Sequence, residues 1–448
     1  MIRRPPRSTQ GVSSAASDVY KRQELDIAEQ IPSVMRRAFN EANSHPKGPV
    51  YVGFTANALE GMAEMNIVPS SDIHDNVRPD PAGIKKAAEL LVSAKSPLLI
   101  VGDRVSDDDA LEDAVQLAEL AGLPVYQSRG AEVSFPTTHP QYLGVHSLRV
   151  AAHREALKGY DLIITVGTDT FDELFYWGDV ILGENTKLVH IDPIPGRVGK
   201  SEPTDVGIVS NCKSGLSELI EQISGHLDTS EVNSRRESAV QQSEEEKKLY
   251  EDSVSSHWNN TPMPPARMMY ELSKAVPKNT IVVNDTVSNN AASRHYFVAE
   301  SRDDMRGVRG QSIGGGIGAT MGTKCAFPDR PVVGIIGDGS AMMTIQGLWT
   351  AANDNIPCVF VICNNGMYRV LKVNFNIYQT EVLSEPEPAG ENLLYSNFDT
   401  PFDISEIAKG MGIQSERVTD PEEIGPAVER ALSSNKPSVI DVVIDGSL

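Results

Sequence analysis

Four cysteines in 448 residues, Cys212, Cys325, Cys358 and Cys363, are too few and too scattered for a disulfide framework. No C-x-x-C pair or histidine cluster at zinc spacing accompanies them. They read as reduced core thiols of a cytoplasmic protein. Long hydrophobic runs are missing too, and none approaches the roughly 20 residues of a membrane span. Positive charge is in deficit: 40 Lys and Arg stand against 61 Asp and Glu, for a net charge of −21. Nucleic acid and anionic membrane surfaces would be repelled, so neither is expected as a partner. Small molecules or metal-bound anions are the ligands that remain.

What is present alternates. Residues 1–23, "MIRRPPRSTQGVSSAASDVYKRQ", are Ser- and Arg-rich without apolar periodicity. They read as a non-native leader and are set aside from the fold. In 24–70 a helix from Ile31 carries Val34, Met35, Ala38, Phe39 and Ala42 on one face, and the strand "GPVYVGF" follows. One helix and one strand cannot bury their apolar faces alone, so this segment reads as the C-terminal remnant of a domain that begins upstream. From 80 to 226 strands and helices alternate ("PLLIVGD", "LPVYQS", "YDLIITVG", "KLVHIDP"), which predicts a Rossmann-like domain with a parallel sheet. Its turns "VGDRVSDDDA" and "VGTDTF" lack G-x-G-x-x-G, which argues against dinucleotide binding there. Residues 227–258, with "SEEEKK", predict a solvated helical linker. The alternation resumes over 259–448. The fold class is α/β, with parallel sheets flanked by helices.

The chemistry concentrates in the last segment. "IIGDGS" ends a strand and sets Asp338 in a glycine turn that opens a helix; "CNNGMY" follows one helix and one strand later. Asp338 and Asn365 therefore both lie beyond the carboxyl ends of parallel strands, the edge where open α/β sheets bind ligands. A carboxylate, an amide oxygen and a main-chain carbonyl are hard ligands suited to Mg²⁺ or Ca²⁺, with phosphate oxygens and water completing the shell. A loop carrying an aspartate needs a cation before it can hold an anion; Gly339 and Ser340 then offer N–H groups at a helix start. Ile345, Leu348, Trp349 and Ala352 fall at core spacing between the two motifs. The polar run "QTEVLSEPEPAGENLLYSN" reads as a mobile surface loop or lid. The nine histidines, His139 and His146 among them, read as structural or surface residues, and only His295 falls where it could approach the site.

The pattern from Gly337 to Asn365 resembles the metal and diphosphate motif of the thiamine-diphosphate-dependent enzymes. The likeness extends over nearly the whole chain after residue 23, to the 2-oxo-acid decarboxylase and acetolactate-synthase branch. In "GDGSAMMTIQGLWTAANDNIPCVFVICNNGMY" and "FPTTHPQYLG" the wording is nearest to the benzoylformate decarboxylases. The resemblance implies a thiamine-diphosphate-binding fold whose pyrimidine-binding, Rossmann-like middle and diphosphate-binding domains follow in that order. It implies thiamine diphosphate and Mg²⁺ as cofactors, a small 2-oxo acid as substrate, and a homodimer or homotetramer. Carried over residue by residue, Asp338, Asn365 and the carbonyl of Met367 would hold the metal. Gly339, Ser340, Gly366 and Tyr368 would lie against the diphosphate, with Thr286 and Ser288 near the phosphates. Ile313 would bend the cofactor and Gln311 would accept from its aminopyrimidine.

The implied activity is decarboxylation of a 2-oxo acid. The alternatives are an acetolactate-synthase-like carboligase and a non-catalytic cofactor-binding protein. No catalytic residue is assigned in this chain, because the family's glutamate at the pyrimidine belongs to the first domain, upstream of these residues. The chain alone is therefore expected to be inactive, and its strand "PVYVGF", left unpaired, to aggregate. Met263, Pro264 and Pro265 stand where the benzoylformate decarboxylases have a histidine, and none of them transfers a proton. Asn374, beside Phe375, falls near an aromatic pocket position and puts a phenyl substituent in question.

Overall fold

A computed structural model describes residues 21–45, 47–68, 74, 76–169, 171, 181–385 and 389–448. Its strands are β1 (Lys21–Leu25), β2 (Val50–Phe54), β3 (Pro97–Val101), β4 (Val125–Ser128), β5 (Tyr142–His146), β6 (Leu162–Val166), β7 (Lys187–Asp192), β8 (Val206–Val209), β9 (Ile281–Asp285), β10 (Met305–Gly307), β11 (Val332–Gly337), β12 (Val359–Asn364), β13 (Gln414–Val418) and β14 (Ser438–Val443). They form a two-stranded sheet, β1-β2, and two six-stranded sheets, β5-β4-β3-β6-β7-β8 and β10-β9-β11-β12-β14-β13, in which every pairing is parallel.

The first sheet corrects two expectations. Val50–Phe54 is paired along its whole length, from Lys21↔Val50 to Leu25↔Phe54. The partner begins inside the stretch set aside as leader, since pairing needs only backbone N–H and C=O groups and polar Lys21, Arg22 and Gln23 supply them. Residues 1–20 lie outside the described residues. The helix Ile31–Asn43 buries Ala38 and Val34, the latter in a small cluster with Leu25 and Ala58, while Phe39 is exposed.

The middle sheet has the doubly wound order in which the chain starts at β3, builds outward to β5, then returns to β6 on the other side. β3 and β6 are buried at every position, as strands covered by helices on both faces must be. The helix Leu111–Ala121 ends at Gly122, whose φ of +67° is left-handed and whose ideal Cβ would stand 2.5 Å from the Val232 carbonyl, so a side chain has neither the conformation nor the room. The polar connector folds as one helix, Thr229–Ser255, capped by the Asp228 side chain. It is not wholly solvated: Val232, Ala239 and Ser243 are buried, and the Ser243 hydroxyl donates to the Tyr142 carbonyl at 2.7 Å.

The third sheet starts at β9, places β10 on one side and β11, β12, β14 and β13 on the other. Its switch point lies between β9 and β11. The two large sheets are joined by Thr137 and Ala299, which exchange two hydrogen bonds, and by Arg309, which pairs with Asp107 and Glu132 at 2.6 and 2.9 Å.

Three local expectations are corrected here. Asp338–Met343 and Gly347–Asn353 are two helices, and the second buries the face of Leu348 and Ala351, so that Trp349, about 100° round from Leu348, is 58% exposed. Cys325 is exposed; the other three thiols are buried. The polar run 379–397 is partly built. Tyr378–Val382 continues the preceding helix, and the Asn376 and Gln379 side chains accept from the Gly390 and Ala389 amides. Residues 386–388 of that run lie outside the described residues.

Candidate functional site

The carboxyl ends of β9, β11 and β12 converge on one loop cluster. Asp338, the first residue after β11, is 3% exposed. Its Oδ1 accepts from the Gly339 amide at 2.7 Å and its Oδ2 from the Gly366 amide at 2.8 Å. Gly366 can aim its N–H this way because it holds φ +67°. Those amide bonds and one from Asn365 favour the carboxylate, but burial outweighs them and pushes the acid up to about 6. No basic side chain lies within ion-pair distance of Asp338 among the described residues. A buried carboxylate of that kind calls for a cation.

Asn365 and Met367 complete the loop. The Asn365 Oδ1 accepts from the Met367 amide at 3.1 Å, closing a turn that leaves the Met367 carbonyl on the same loop. Asn364, the other member of the pair, faces the core, where its amide donates to the Phe402 carbonyl and to Asp441. Among the described residues no three His, Cys, Asp or Glu side chains gather as a metal cluster. One carboxylate, one amide oxygen and one carbonyl are a different set, suited to a hard cation that brings phosphate oxygens with it. The donor chemistry fits Mg²⁺.

Gly339 and Tyr368 meet: a Cβ on Gly339 would lie 2.6 Å from the Tyr368 ring, which stands edge-on to Phe398 at 4.8 Å. The Ser340 hydroxyl is 8% exposed and engaged within the chain, donating to Asp285 Oδ2 at 2.6 Å and accepting from the Gly314 amide at 2.7 Å. Thr286 is equally occupied, since its amide and hydroxyl both donate to Asn284 Oδ1, at 3.0 and 2.7 Å. Ser288 is half-buried two residues on, ahead of a helix that starts at Asn290. Ile313 is 49% exposed and lines a cleft with Asn284 and Asp285 of β9, Thr286 just after it, Arg294 of the helix Asn290–Tyr296 and Arg129 just after β4. Gln311 lies in a short turn, Arg309–Gln311, and its side chain is outside the described residues.

The remaining candidates sit elsewhere. His295 packs on Tyr250 and pairs with Glu251 of the long helix at 3.7 Å, and burial lowers its pKa. Met263 is 1% exposed and bridges to Ile444. Asn374 accepts from Arg149 of the middle unit at 3.1 Å. Sequence reasoning missed Asp285. The signal was there: "TIVVND" ends a buried strand in an acid, as "IIGD" does on the neighbouring strand.

The family described as "Thiamine pyrophosphate enzyme, C-terminal TPP binding domain" matches residues 285–442, and its central domain matches 84–219. A "probable acetolactate synthase large subunit" of Methanococcus aeolicus is 30% identical over 436 residues, covering 93% of this chain and 70% of that protein. The chain belongs to the thiamine pyrophosphate enzymes. Within that family the benzoylformate decarboxylase of Pseudomonas aeruginosa is 27% identical over 420 residues, 93% of this chain and 74% of its own length. A solved thiamine diphosphate-dependent 4-hydroxybenzoylformate decarboxylase of Rhodococcus jostii superposes with a TM-score of 0.78 at 26% identity, covering 95% of this chain and 76% of that one. In this thiamine pyrophosphate enzyme Asp338 and Asp285 both lie inside the C-terminal family segment.

Proposed function

We propose that this chain holds thiamine diphosphate through Mg²⁺ at the β9–β11 switch point and serves the decarboxylation of a 2-oxo acid. The observation that carries the reading is the Asp338 carboxylate: buried, uncompensated by any cation among the described residues, and set at the strand edge where open α/β sheets take ligands. Asp338, Asn365 and the Met367 carbonyl would hold the metal. Gly339 and Gly366 would bring backbone close to the diphosphate, and Ile313 would support the bent cofactor from the cleft wall. When bound, the cofactor supplies the electron sink that lets CO₂ leave a 2-oxo acid.

The chain's own residues would orient that group. Tyr368, packed on Gly339 and Phe398, roofs the metal loop. In this reading two or four copies of the chain assemble, since sites of this kind are shared between subunits.

A second reading, carboligation in the manner of the acetolactate synthases, draws on Met263. Met263, buried in the core, and Pro264 and Pro265 beside it carry no transferable proton, and a relative named as a probable acetolactate synthase large subunit is 30% identical to this chain. Both readings share the first step. Incubating the chain with Mg²⁺, thiamine diphosphate and a panel of 2-oxo acids, with CO₂ and organic products followed by NMR, tests them. An aldehyde supports simple decarboxylation and a hydroxyketone supports carboligation. Failure of the chain to bind thiamine diphosphate in the presence of Mg²⁺ would overturn both readings.

A further inference from the structure

Asp285 closes β9 at 6% exposure and has no basic side chain within ion-pair distance among the described residues. Its Oδ2 accepts from the Gly316 amide at 2.9 Å and from the Ser340 hydroxyl at 2.6 Å. The Ser340 Oγ accepts in turn from the Gly314 amide at 2.7 Å, and the Gly314 carbonyl takes the Thr344 hydroxyl at 2.6 Å. One carboxylate thereby ties three segments: 286–288, which begins at the next residue; the 312–316 turn that presents Ile313; and the helix start at 338–340.

The fit leaves little slack. A Cβ on Gly316 would stand 2.6 Å from the Asp285 Cβ, and one on Gly314, at φ +93°, would stand 2.7 Å from Met343. Ile313 itself is half exposed, so burial of its own side chain does little to fix it. Its place on the cleft wall is set by the bonded backbone on either side.

We propose that Asp285 is a positioning residue for the cofactor: its carboxylate locks the Ile313 turn to the start of the metal-loop helix, so that the ring half and the diphosphate half of thiamine diphosphate meet one rigid surface. This rests on the reading given under Proposed function. Asp285→Asn keeps the size and one acceptor while removing the charge; Ser340→Ala cuts one arm of the link and leaves the carboxylate in place.

The test uses the 448-residue chain and three readouts: amide hydrogen exchange over 312–316, affinity for thiamine diphosphate with Mg²⁺, and affinity for inorganic pyrophosphate with Mg²⁺. In Asp285→Asn, exchange at Gly314 and Gly316 should rise by about tenfold or more. Thiamine diphosphate affinity should fall by about 10- to 100-fold, the range for a group that orients a site from behind. Pyrophosphate affinity should stay within about threefold, because the Asp338 loop is held by its own amides. Ser340→Ala removes the acceptor of the Gly314 amide and leaves that of Gly316, so exchange should rise at Gly314 and little at Gly316, and thiamine diphosphate affinity should fall by less than in Asp285→Asn. An unchanged thiamine diphosphate affinity overturns the proposal, and so does equal loss of both ligands, the mark of general unfolding. If the unsubstituted chain fails to bind either ligand while exchange responds as expected, the cofactor reading itself has failed and takes this role with it.

Discussion

The chain builds the same kind of sheet twice and treats the two switch points in opposite ways. In the middle sheet, between β3 and β6, the crevice is filled by the protein's own charges. The Arg104 guanidinium, 15% exposed, pairs with fully buried Asp192 at 2.8 Å and with Asp169 at 3.1 Å. A Cβ on Gly102 would lie 2.5 Å from Thr168, so the strand ends themselves are in contact. In the C-terminal sheet, between β9 and β11, two carboxylates, Asp285 and Asp338, are buried with no basic side chain within ion-pair distance among the described residues, beside glycines that let backbone approach. Topology offers a site at both places; residue chemistry decides which one can take a ligand. The first crevice is neutralised from within; in the proposed reading the second would be neutralised by a bound cation.

The comparison can be broken most forcefully at Arg104. Arg104→Leu strands Asp192 in the core, and loss of a buried partner costs about 3–5 kcal/mol. Thermal unfolding should show that loss while the thiamine diphosphate affinity stays put; an affinity that falls with it would mean the two crevices are not separate.

Acid should move the two halves in opposite directions. Burial lowers His146 to about 3, with the charge of stacked His153 adding to the effect. The native state there binds fewer protons than the unfolded one, so the stability is complete above 6.5 and is lost as pH falls toward 3. The loss is about 2 kcal/mol by pH 5. Asp338 has the reverse sign. Its native pKa of about 6 lies above the unfolded value of 3.8, so without metal the native loop gains about 1 kcal/mol as pH drops from 7 to 5. Hydrogen exchange, corrected for its intrinsic pH dependence, should show the middle sheet loosening and the Asp338 loop tightening; parallel changes in both would refute the assignment.

The smallest expected effect sharpens the open side. Gly339→Ala sets a methyl 2.6 Å from the Tyr368 ring. The ring must tilt off the loop, and cofactor affinity should drop about tenfold, about 1.4 kcal/mol. Pairing the change with Tyr368→Ala should return part of that loss in a titration calorimeter, and no recovery would place the damage elsewhere.

Much of this was legible in the residues. Continuous apolar runs such as "PLLIV" and "VVGIIG" announce buried parallel strands, and an acid after a strand-end glycine announces a loop in need of a cation. Trp349 was misplaced because the spacing of Leu348, Trp349 and Ala352 fits a helix face without saying where its centre lies, and the buried centre is Leu348 and Ala351. Lys21–Gln23 were set aside because side-chain pattern carries no record of backbone pairing. Asp285 escaped because its partners, Gly316 and Ser340, lie 31 and 55 residues away and become neighbours only when β9 and β11 pair. The filled middle crevice was equally hidden: Arg104, Asp169 and Asp192 meet only across three strand ends.

The central claim is that Asp338 makes an anion site only through a cation. Titration calorimetry of the chain with thiamine diphosphate, with and without Mg²⁺ and repeated on Asp338→Ala, tests it most directly. The account predicts binding that requires Mg²⁺ and weakens by about a hundredfold or more in the variant. Binding that ignores Mg²⁺, or survives the loss of Asp338, would contradict it.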